Sequence, residues 1–184
     1  MSVLLETSAG EIVIDLKTDE CPITCENFIK LCKIKYYNDN LFFNIQSNYI
    51  AQTGDPTGTG TGGNSIFGII NNSTIGFKNE VNKNKKIFNK IGLVCMASKD
   101  NINKSQFFIT LRDDDLDHLY GQYTVFGEVA EGMNVLAKLN ALFCDEGIRL
   151  LLLYIIRYLH SNMFVYYKII LHNTKLEYTL YNTL

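Results

Sequence analysis

The stretch from Phe42 to Gly68 constrains the fold more than any other part of the chain. It reads FFNIQSNYIAQTGDPTGTGTGGNSIFG, in which a short apolar segment, a polar-aromatic segment and a loop rich in glycine and threonine follow one another. Leu41–Ile45 and Tyr49–Thr53 have the length and composition of β-strands, and Gly54–Gly63 is typical of a loop. The region is therefore predicted to contain short strands joined by turns.

Further segments with strand character occur along the chain. They are Val3–Thr7, Glu11–Leu16, Ser65–Ile70, Gly92–Ala97, Phe107–Leu111 and Thr124–Val129. Apolar residues recur at helical spacing after Pro22, as far as about Lys35, and again in Glu131–Leu142. Many short strands with two helices favour an all-β sandwich or barrel over an alternating βαβ fold.

Composition and charge fit one globular domain. Of the 184 residues, 47% are hydrophobic and 20% are charged, which is enough for a core. The formal net charge is −2, so we expect no nucleic-acid and no membrane partner. We also expect a monomer. Leu150–Ile156 is apolar, but it is far shorter than the about 18–20 residues of a membrane-spanning helix. It is expected to be a buried or interfacial element.

The cysteines indicate a reducing compartment. Their number is odd and their spacing is not that of a disulfide framework: Cys21, Cys25, Cys32, Cys95 and Cys144. Glu6 and Glu11 interrupt the apolar N-terminal residues, so no signal peptide is predicted and we expect a nuclear or cytoplasmic protein. Cys21 and Cys25 could form half of a metal site, but no matching pair follows. Structural thiols are favoured, and we expect neither a metal nor a cofactor.

Two further motifs complete a family pattern. Ser105–Ile109 reads SQFFI and Val125–Val129 reads VFGEV. Together with the Phe42–Gly68 stretch, they resemble the cyclophilin family of peptidyl-prolyl cis-trans isomerases. The resemblance covers residues 1–148, the expected cyclophilin-like domain. It implies an all-β fold with two helices, in which a closed eight-stranded antiparallel barrel has a helix at each open end.

Residues 149–184 form a divergent C-terminal tail that the family pattern does not cover. Residues 164–172 are a candidate for the last barrel strand, and the span Leu150–Met163 is interpreted either as an insertion or as an error in the gene model. The tail has neither a basic patch nor the aromatic-rich motif of an RNA-recognition module. We therefore expect no direct nucleic-acid binding by this chain.

The implied reaction needs no nucleophile, metal or cofactor. An Xaa-Pro amide isomerises slowly because resonance gives its C–N bond partial double-bond character, with a barrier of ~18–20 kcal/mol. A catalyst must hold the proline ring in an apolar pocket and fix the neighbouring backbone. It must also aim a cation or a donor at the prolyl nitrogen, so that the twisted amide binds more tightly than the planar one.

The resemblance assigns this pocket position by position. Its catalytic members are Asn44, Gln52, Phe108 and Tyr123, and its substrate-binding members are Tyr49, Ile50, Ala97, Ser98, Gln106, His118 and Leu119. Strand alternation gives independent support, because Ile50 and Gln52 share one face of their strand, as Gln106 and Phe108 do on theirs. An apolar wall with a few convergent polar groups is typical of a ligand pocket. Phe107, in contrast, is expected to be core.

Several positions depart from the family pattern. Asn44 stands where the family has its catalytic arginine, and it is short and neutral whereas a guanidinium is a charged planar fork. His118 stands in place of a tryptophan, so we expect weak or no cyclosporin binding; an exposed loop histidine is the alternative interpretation. Tyr123 replaces a histidine, and Lys104 replaces a glycine. Arg112 follows the SQFF strand, but nothing indicates that it substitutes for the missing arginine.

Four longer motifs occur in the chain: VLLETSAGEIVIDLKTDECP, ENFIKLCKIKYYN, QTGDPTGTGTGG and TVFGEVAEGMNVL. Within the family they most resemble the peptidyl-prolyl isomerase-like 4 branch. This is a nuclear branch whose cyclophilin domain precedes an RNA-recognition module and which tends to carry asparagine in place of the arginine. The resemblance implies an isomerase of reduced activity that acts on Xaa-Pro segments of client proteins during folding or remodelling. The alternative is a weak or inactive proline-motif binding module in a nuclear, spliceosome-linked assembly. Phosphate binding by Gly58–Gly63 is disfavoured, because the lysine of a Walker loop is missing.

Overall fold

The computed structural model describes residues 1–81, 88–114, 116–141 and 151–159, and in the last span the backbone alone. Within these residues the strands are β1 (Ser2–Thr7), β2 (Gly10–Leu16), β3 (Asn40–Phe42), β4 (Asn44–Gln46), β5 (Ile50–Thr53), β6 (Phe77–Lys78), β7 (Leu93–Lys99), β8 (Ile102–Thr110), β9 (Val125–Glu131) and β10 (Leu151–Leu159). The helices are α1 (Pro22–Lys33), α2 (Ile66–Ile70) and α3 (Met133–Asn140), with a 3₁₀ helix at Asp117–Leu119. The prediction of a mostly β protein with two main helices is confirmed.

All the described strands belong to one sheet, and every pairing in it is antiparallel. The hydrogen-bonded order is β3-β10-β1-β2-β9-β7-β8-β5-β4, and β6 pairs with β8 beside this path. β1 and β2 form the N-terminal hairpin that the alternating sequence predicts. The two ends of the path, β3 and β4, are consecutive in the chain with only Phe43 between them. The sheet therefore curls, and Phe43 links its two end strands along the chain.

The predicted closed eight-stranded barrel is wrong, because the sheet is curled but open. The sequence predicts one strand over Leu41–Ile45, whereas the structure divides this segment at Phe43. β3 pairs with β10 and β4 pairs with β5, so the two halves of the segment have different partners and no ladder joins them among the described residues. The N–H of Phe43 donates to the carbonyl of Gln52, 3.1 Å away, and so extends the pairing between β4 and β5 by one residue.

The predicted strand Ser65–Ile70 is also wrong, because this segment forms the short helix α2. Ser65 precedes the helix in an extended conformation, and its Oγ accepts a hydrogen bond from the N–H of Gly68 at 2.9 Å. This is the geometry of a helix N-cap. A short apolar run is ambiguous between strand and helix, and here the cap and the burial of Ile66 favour the helix.

The main core lies between α1 and one face of the sheet. The ring of Phe28, on α1, contacts the rings of Tyr37, Phe107 and Phe126 at centroid distances of 5.4, 5.3 and 5.1 Å. All four side chains are fully buried, so the prediction that Phe107 belongs to the core is confirmed. Aromatic clusters of this kind supply much of the buried apolar area of a small domain.

A distant carboxylate stabilises the N-terminal end of α1. Glu80 accepts hydrogen bonds from the N–H groups of Thr24 and Ile23, at 2.7 and 3.2 Å, and from the hydroxyl of Thr24 at 2.6 Å. The N–H of Glu80 donates to the hydroxyl of Thr124 at 2.8 Å. A negative charge at this end compensates both the unpaired N–H groups and the helix dipole. The same contacts fix the loop after β6 beside the start of β9.

Strand β10 closes part of the sheet from the C-terminal side. It pairs with β1 over most of its length and with β3 at its start. The sequence predicts only a buried or interfacial element for Leu150–Ile156, so this pairing is a new finding. The candidate strand at residues 164–172 lies outside the described residues. None of the helices in the described part of the chain is both long and apolar enough to cross a membrane.

Candidate functional site

Strand alternation divides the apolar side chains of the sheet between its two faces. On β8, Phe107 points into the main core and Phe108 points to the opposite face. The side chains on that opposite face form a second buried group, the outer cluster, which comprises Ile50, Phe88, Leu93, Cys95, Phe108, Leu116, Leu119 and Val125. Four partly exposed residues pack against it, namely Tyr49, Ala97, Tyr120 and Tyr123.

The outer cluster brings together several residues that the resemblance assigns to the pocket. Phe108 is only 3% exposed, and Ile50 and Leu119 are buried beside it. The ring of Tyr123 stands edge-on to Phe108, with centroids 5.3 Å apart and planes at 87°. An edge-to-face pair of rings next to aliphatic side chains offers an apolar surface on which a small ring can pack.

A continuous series of side-chain amides borders the outer cluster. Nδ2 of Asn44 donates to Oε1 of Gln52 at 3.0 Å, and Nε2 of Gln52 donates to Oε1 of Gln106 at 2.9 Å. Nε2 of Gln106 donates to the carbonyls of Gly60 and Gly62, at 3.0 and 2.8 Å. Each amide donates to the next and accepts on its oxygen, so the orientations of the three groups fix one another. We refer to Asn44, Gln52 and Gln106 as the amide series.

Strand register explains why the amide series and the apolar cluster are neighbours. Asn44 on β4 is the direct partner of Gln52 on β5, and Gln52 is the partner of Phe108 on β8. Directly paired residues on one face of a sheet have their Cβ atoms about 4.5–5.5 Å apart. The fold therefore sets polar groups that can bond a peptide backbone against an apolar surface.

The position of the family arginine contributes no charge to this site. Oδ1 of Asn44 accepts from Nε2 of Gln46 at 3.2 Å, so Asn44 is bonded to neutral amides on both sides. Arg112 lies against Tyr49 instead, with its Cζ 5.9 Å from the ring centroid, which is the geometry of a cation–π contact. Its Nε is 3.8 Å from a carboxylate oxygen of Asp114.

His118 and Tyr49 form one unit at the exposed rim. The hydroxyl of Tyr49 is 2.9 Å from Nε2 of His118, and the two rings are nearly parallel, with planes at 22° and centroids 5.7 Å apart. Burial raises the pKa of Tyr49, the nearby Tyr123 adds to this effect, and Arg112 opposes it. Tyr49 is therefore protonated at neutral pH. His118 is exposed, as the loop interpretation expects, and it is also bonded to a pocket residue.

The turn before Tyr49 is anchored to the end of α3. The N–H of Asn48 donates to Oδ1 of Asn140 at 2.6 Å, and Nδ2 of Asn140 donates to Oδ1 of Asn48 at 3.0 Å. Asn48 has a φ of +53°, a conformation that asparagine tolerates better than most residues. The reciprocal pair holds the turn rigid and so positions Tyr49 at the start of β5.

Ala97 and Ser98 lie at a β-bulge next to the amide series. The register of β7 and β8 pairs Met96 with Phe107 and Ser98 with Asn103, so Ala97 alone opposes three residues of β8. Bulges interrupt the ladder, redirect side chains and occur often beside functional sites. The bulge leaves Ala97 outside the regular pairing, where it packs against the outer cluster.

A second depression adjoins the outer cluster at Ala97, and two members of the amide series line it. It has a volume of about 490 Å³, and its lining includes Gln52, Ala97, Lys99, Asp100, Lys104 and Gln106. In the sequence, Lys104 stands out only as a departure from the family pattern, and neither Lys99 nor Asp100 is among the expected site residues. Lys104 and Gln106 are two residues apart on one strand, and this spacing could have predicted that both side chains lie on the same surface.

The glycine-threonine loop is built around a buried carboxylate and not around a phosphate. The side chain of Asp55 accepts the N–H groups of Thr57, Gly60 and Gly62, at 2.8, 2.8 and 3.0 Å, and the hydroxyl of Thr57 at 2.8 Å. These bonds occupy N–H groups that a phosphate loop would offer to its ligand. Burial alone would raise the pKa of Asp55, but the hydrogen bonds outweigh it and the pKa is lowered.

The described cysteines are buried thiols. Cys21, Cys25, Cys32 and Cys95 are unpaired, which agrees with the interpretation as structural thiols. Burial raises the pKa of Cys21 and of Cys25 to about 12. Among the described residues, no three His, Cys, Asp or Glu side chains come together in a way that could hold a metal ion. Cys144 lies outside those residues.

Comparison with known proteins identifies the family. A family model described as cyclophilin-type peptidyl-prolyl cis-trans isomerase matches residues 2–157. The chain is 54% identical over 147 residues to the peptidyl-prolyl cis-trans isomerase CYP59 of Arabidopsis thaliana, and 48% identical over 147 residues to the peptidyl-prolyl cis-trans isomerase-like 4 of Homo sapiens. Each match covers 79% of this chain, but only 29% and 30% of those relatives, which are much longer.

A solved structure shares the fold. The crystal structure of a cyclophilin-type peptidyl-prolyl cis-trans isomerase of Cryptosporidium parvum, obtained in the presence of the dipeptide Ala-Pro, superposes with a TM-score of 0.78 and 34% sequence identity. The match covers 88% of this chain and 100% of that one. The match supports the same arrangement of strands and helices in both proteins.

Proposed function

The chain belongs to the family of cyclophilin-type peptidyl-prolyl cis-trans isomerases, and from this premise we propose that it binds Xaa-Pro segments of client proteins and isomerises them with reduced activity. The single observation that supports this most strongly is the position of the amide series beside Phe108 and Tyr123. An apolar ring-binding surface and backbone-bonding amides are two of the three parts that the reaction needs.

In the proposed mechanism the outer cluster holds the proline ring. Phe108 forms the floor, Leu119 and Ile50 form aliphatic walls, and Tyr123 closes one side with its ring edge-on to Phe108. Burying the apolar ring contributes roughly 25 cal/mol for each Å² removed from water. Holding the ring while the peptide on its N-terminal side rotates lets the site favour the twisted amide.

The amide series orients the peptide backbone. Gln52 gives one N–H to Gln106 and keeps the second for a peptide carbonyl. Gln106 gives both of its N–H groups to the carbonyls of Gly60 and Gly62, and it holds Gln52 in place through its oxygen. Because the series is internally bonded, its donors are already oriented before the peptide binds. Pre-oriented dipoles stabilise a transition state without reorganisation during the reaction.

Asn44 accounts for the reduced activity. It brings no positive charge to the prolyl nitrogen, and one of its two N–H groups is already given to Gln52. Loss of one donor aimed at a transition state commonly costs ~2.7–4 kcal/mol, or about 10²–10³ in rate. The proposed enzyme therefore keeps binding and orientation and lacks most of the electrostatic contribution.

A catalytically weak or inactive proline-motif binding module is the second candidate. This candidate is favoured because Asn44 brings no charge to the site and is hydrogen-bonded to the neutral amides of Gln46 and Gln52. Such a module would bind Xaa-Pro segments through Phe108 and the amide series without speeding their exchange. A nuclear, spliceosome-linked assembly is the proposed setting of this alternative.

Further properties follow from the same proposal. The protein is proposed to be a monomer, nuclear or cytoplasmic, without a cofactor and without direct nucleic-acid binding by this chain. Cyclosporin is expected to bind weakly or not at all, because His118 stands at the position of the family tryptophan and is already bonded to Tyr49.

Two-dimensional NMR exchange spectroscopy on a short Xaa-Pro peptide tests the proposal. Cross-peaks between cis and trans signals that depend on the protein would support the isomerase. Shifts or line broadening without such cross-peaks would favour the binding module, and the absence of both at millimolar peptide would contradict both functions.

The variant Phe108→Leu should weaken both binding and exchange, because it keeps an apolar side chain but removes the ring contact with Tyr123. Phe67→Leu is the matched control, since this ring packs against the main core near Phe77 and not against the outer cluster. The dispersed amide spectrum of each variant shows whether it is folded.

A further inference from the structure

The second depression carries positive charge next to the proposed proline pocket. Lys104 and Lys99 line it, together with one acidic side chain, Asp100. The carbonyl of Lys104 accepts a hydrogen bond from Nδ2 of Asn27 at 2.9 Å, but within the described part of the chain neither ammonium group makes a hydrogen bond or an ion pair. Two cations against one anion leave the lining with one net positive charge. An ammonium group on a flexible stem can move to meet an anion that enters this depression.

Strand geometry directs Lys104 into the depression. Ser105 points the other way, where it is fully buried and its hydroxyl donates to the carbonyl of Gly54 at 2.7 Å. Lys104 and Gln106 flank Ser105 on β8 and therefore share the opposite face. They also lie opposite the bulge at Ala97, and all three residues line the depression.

Lys99 is placed by a tight turn. The residues Asp100 and Asn101 both have positive φ, +53° and +63°, and they connect the pair Lys99 and Ile102 at the ends of β7 and β8. Two consecutive residues of positive φ define the type I′ turn that matches the twist of a hairpin. Lys99 thus stands at a rigid corner of the depression.

The depression and the outer cluster are parts of one continuous surface. Ala97 packs against the outer cluster and also lines the depression. Gln52 and Gln106 belong to the amide series and line the depression as well. A peptide whose proline ring lies on Phe108 and whose backbone is bonded by the amide series must therefore pass the depression within a few residues.

We propose that this depression receives an anionic side chain of the bound segment, so that the chain prefers Xaa-Pro segments with a carboxylate close to the proline. The inference rests on the proposed function, since it concerns the residues that flank the proline in the same bound segment. Lys104 is the main specificity-determining residue, and Lys99 assists it at the rim. Because the depression is open to solvent, the preference must weaken as salt is added.

The test uses pairs of short peptides that differ only in Glu or Gln at one position. The substituted position is moved through the three residues on either side of the proline, and binding to the whole chain is followed by peptide NMR at low and at high salt. We expect at least one position at which the Glu peptide binds about two- to fivefold more tightly than the Gln peptide at low salt, and a smaller difference at high salt.

Lys104→Gln should abolish the difference, and Lys99→Gln should reduce it. Lys30→Gln is the matched control, because it removes the same charge from the exposed side of α1, where Lys30 is paired with Glu26. Equal binding of Glu and Gln peptides at every position would overturn this inference alone and leave the proposed function standing. A preference that survives in Lys104→Gln would also overturn it, and failure of every peptide to bind would overturn both.

Discussion

Nδ2 of Asn44 donates a hydrogen bond to Oε1 of Gln52 across the paired strands β4 and β5, over 3.0 Å. The side chain at the position of the family arginine is therefore part of a bonded amide series and has no charge of its own. The substitution leaves no gap in the structure, because Gln46 completes the bonding on the other side. Under the proposed function, this arrangement orders the site for binding but brings no positive charge to the prolyl nitrogen.

Breaking the amide series at its far end should weaken peptide binding. Gln106→Leu removes the acceptor of Gln52 and the donor to the carbonyls of Gly60 and Gly62. We expect the free energy of unfolding in urea to fall by about 0.5–1.5 kcal/mol and the peptide affinity to fall more than tenfold, as roughly expected when a site loses its pre-oriented donors.

Gln46→Leu is the control for this prediction. Gln46 is exposed and stands at the other end of the bonded groups, so its effect on stability should stay within about 0.5 kcal/mol. Equal losses of affinity in the two variants would show that the amide series does not orient the peptide.

The glycine-threonine loop should lose stability in acid through Asp55. The pKa of this buried carboxylate is lowered, so its stabilising contribution is present above the unfolded pKa of about 3.9 and disappears as the pH falls through the lower folded value. Asp55→Asn places an NH₂ group among N–H donors and should cost about 1–3 kcal/mol at pH 7.

The measurement is urea unfolding of both proteins from pH 7 to pH 2. The difference in the free energy of unfolding between the wild type and Asp55→Asn should be constant above about pH 5 and should become smaller below about pH 4. Asp100→Asn, at an exposed turn, should show no comparable difference. If the difference in the free energy of unfolding did not change with pH, the acid sensitivity could not come from the Asp55 carboxylate.

The buried thiols should be inert in the folded protein. Burial raises the pKa of Cys21 and Cys25 to about 12 and that of Cys95 well above its usual value, so almost no thiolate exists at pH 8. We expect alkylating reagents to leave Cys21, Cys25, Cys32 and Cys95 unmodified in buffer and to modify all four in denaturant. Peptide mapping by mass spectrometry reads each site separately, and rapid labelling of any of the four in buffer would contradict the prediction.

Cyclosporin binding should respond to position 118. His118 is engaged with the hydroxyl of Tyr49 and offers no indole N–H, so the wild-type dissociation constant should lie well above the nanomolar range. His118→Trp should tighten binding at least tenfold, as about one recovered hydrogen bond and ring contact would. A low-nanomolar constant for the wild type, measured by calorimetry, would be incompatible with this account.

The strands could be predicted from the sequence because their alternation is a local property. Ile50 and Gln52, or Phe107 and Phe108, take their faces from a period of two, and the structure places them accordingly. Ser65–Ile70 could not be assigned with the same rule, since a run of six apolar or small residues fits either a strand or a helix. Its helical state depends on the hydrogen bond between Ser65 and Gly68.

The open edge of the sheet and the rim of the site depend on contacts between distant parts of the chain. Nothing local shows that the strand around Phe43 changes partners between β10 and β5. The hydrogen bond between Tyr49 and His118 joins residues far apart in sequence. The sequence around His118 is therefore equally consistent with a binding role and with an exposed loop residue. The position of Arg112 against Tyr49 likewise follows from the path of the loop after β8.

Asn44→Arg tests the central claim most directly. The protein-dependent cis-trans exchange rate of an Xaa-Pro peptide is measured by NMR for the wild type, for Asn44→Arg and for Gln46→Arg, which adds the same charge two residues away on the same strand. We predict that Asn44→Arg raises the rate by about 10²–10³, the value of one recovered transition-state donor, and that Gln46→Arg changes it little. No increase in a folded Asn44→Arg protein, or an equal increase in both variants, would contradict the account.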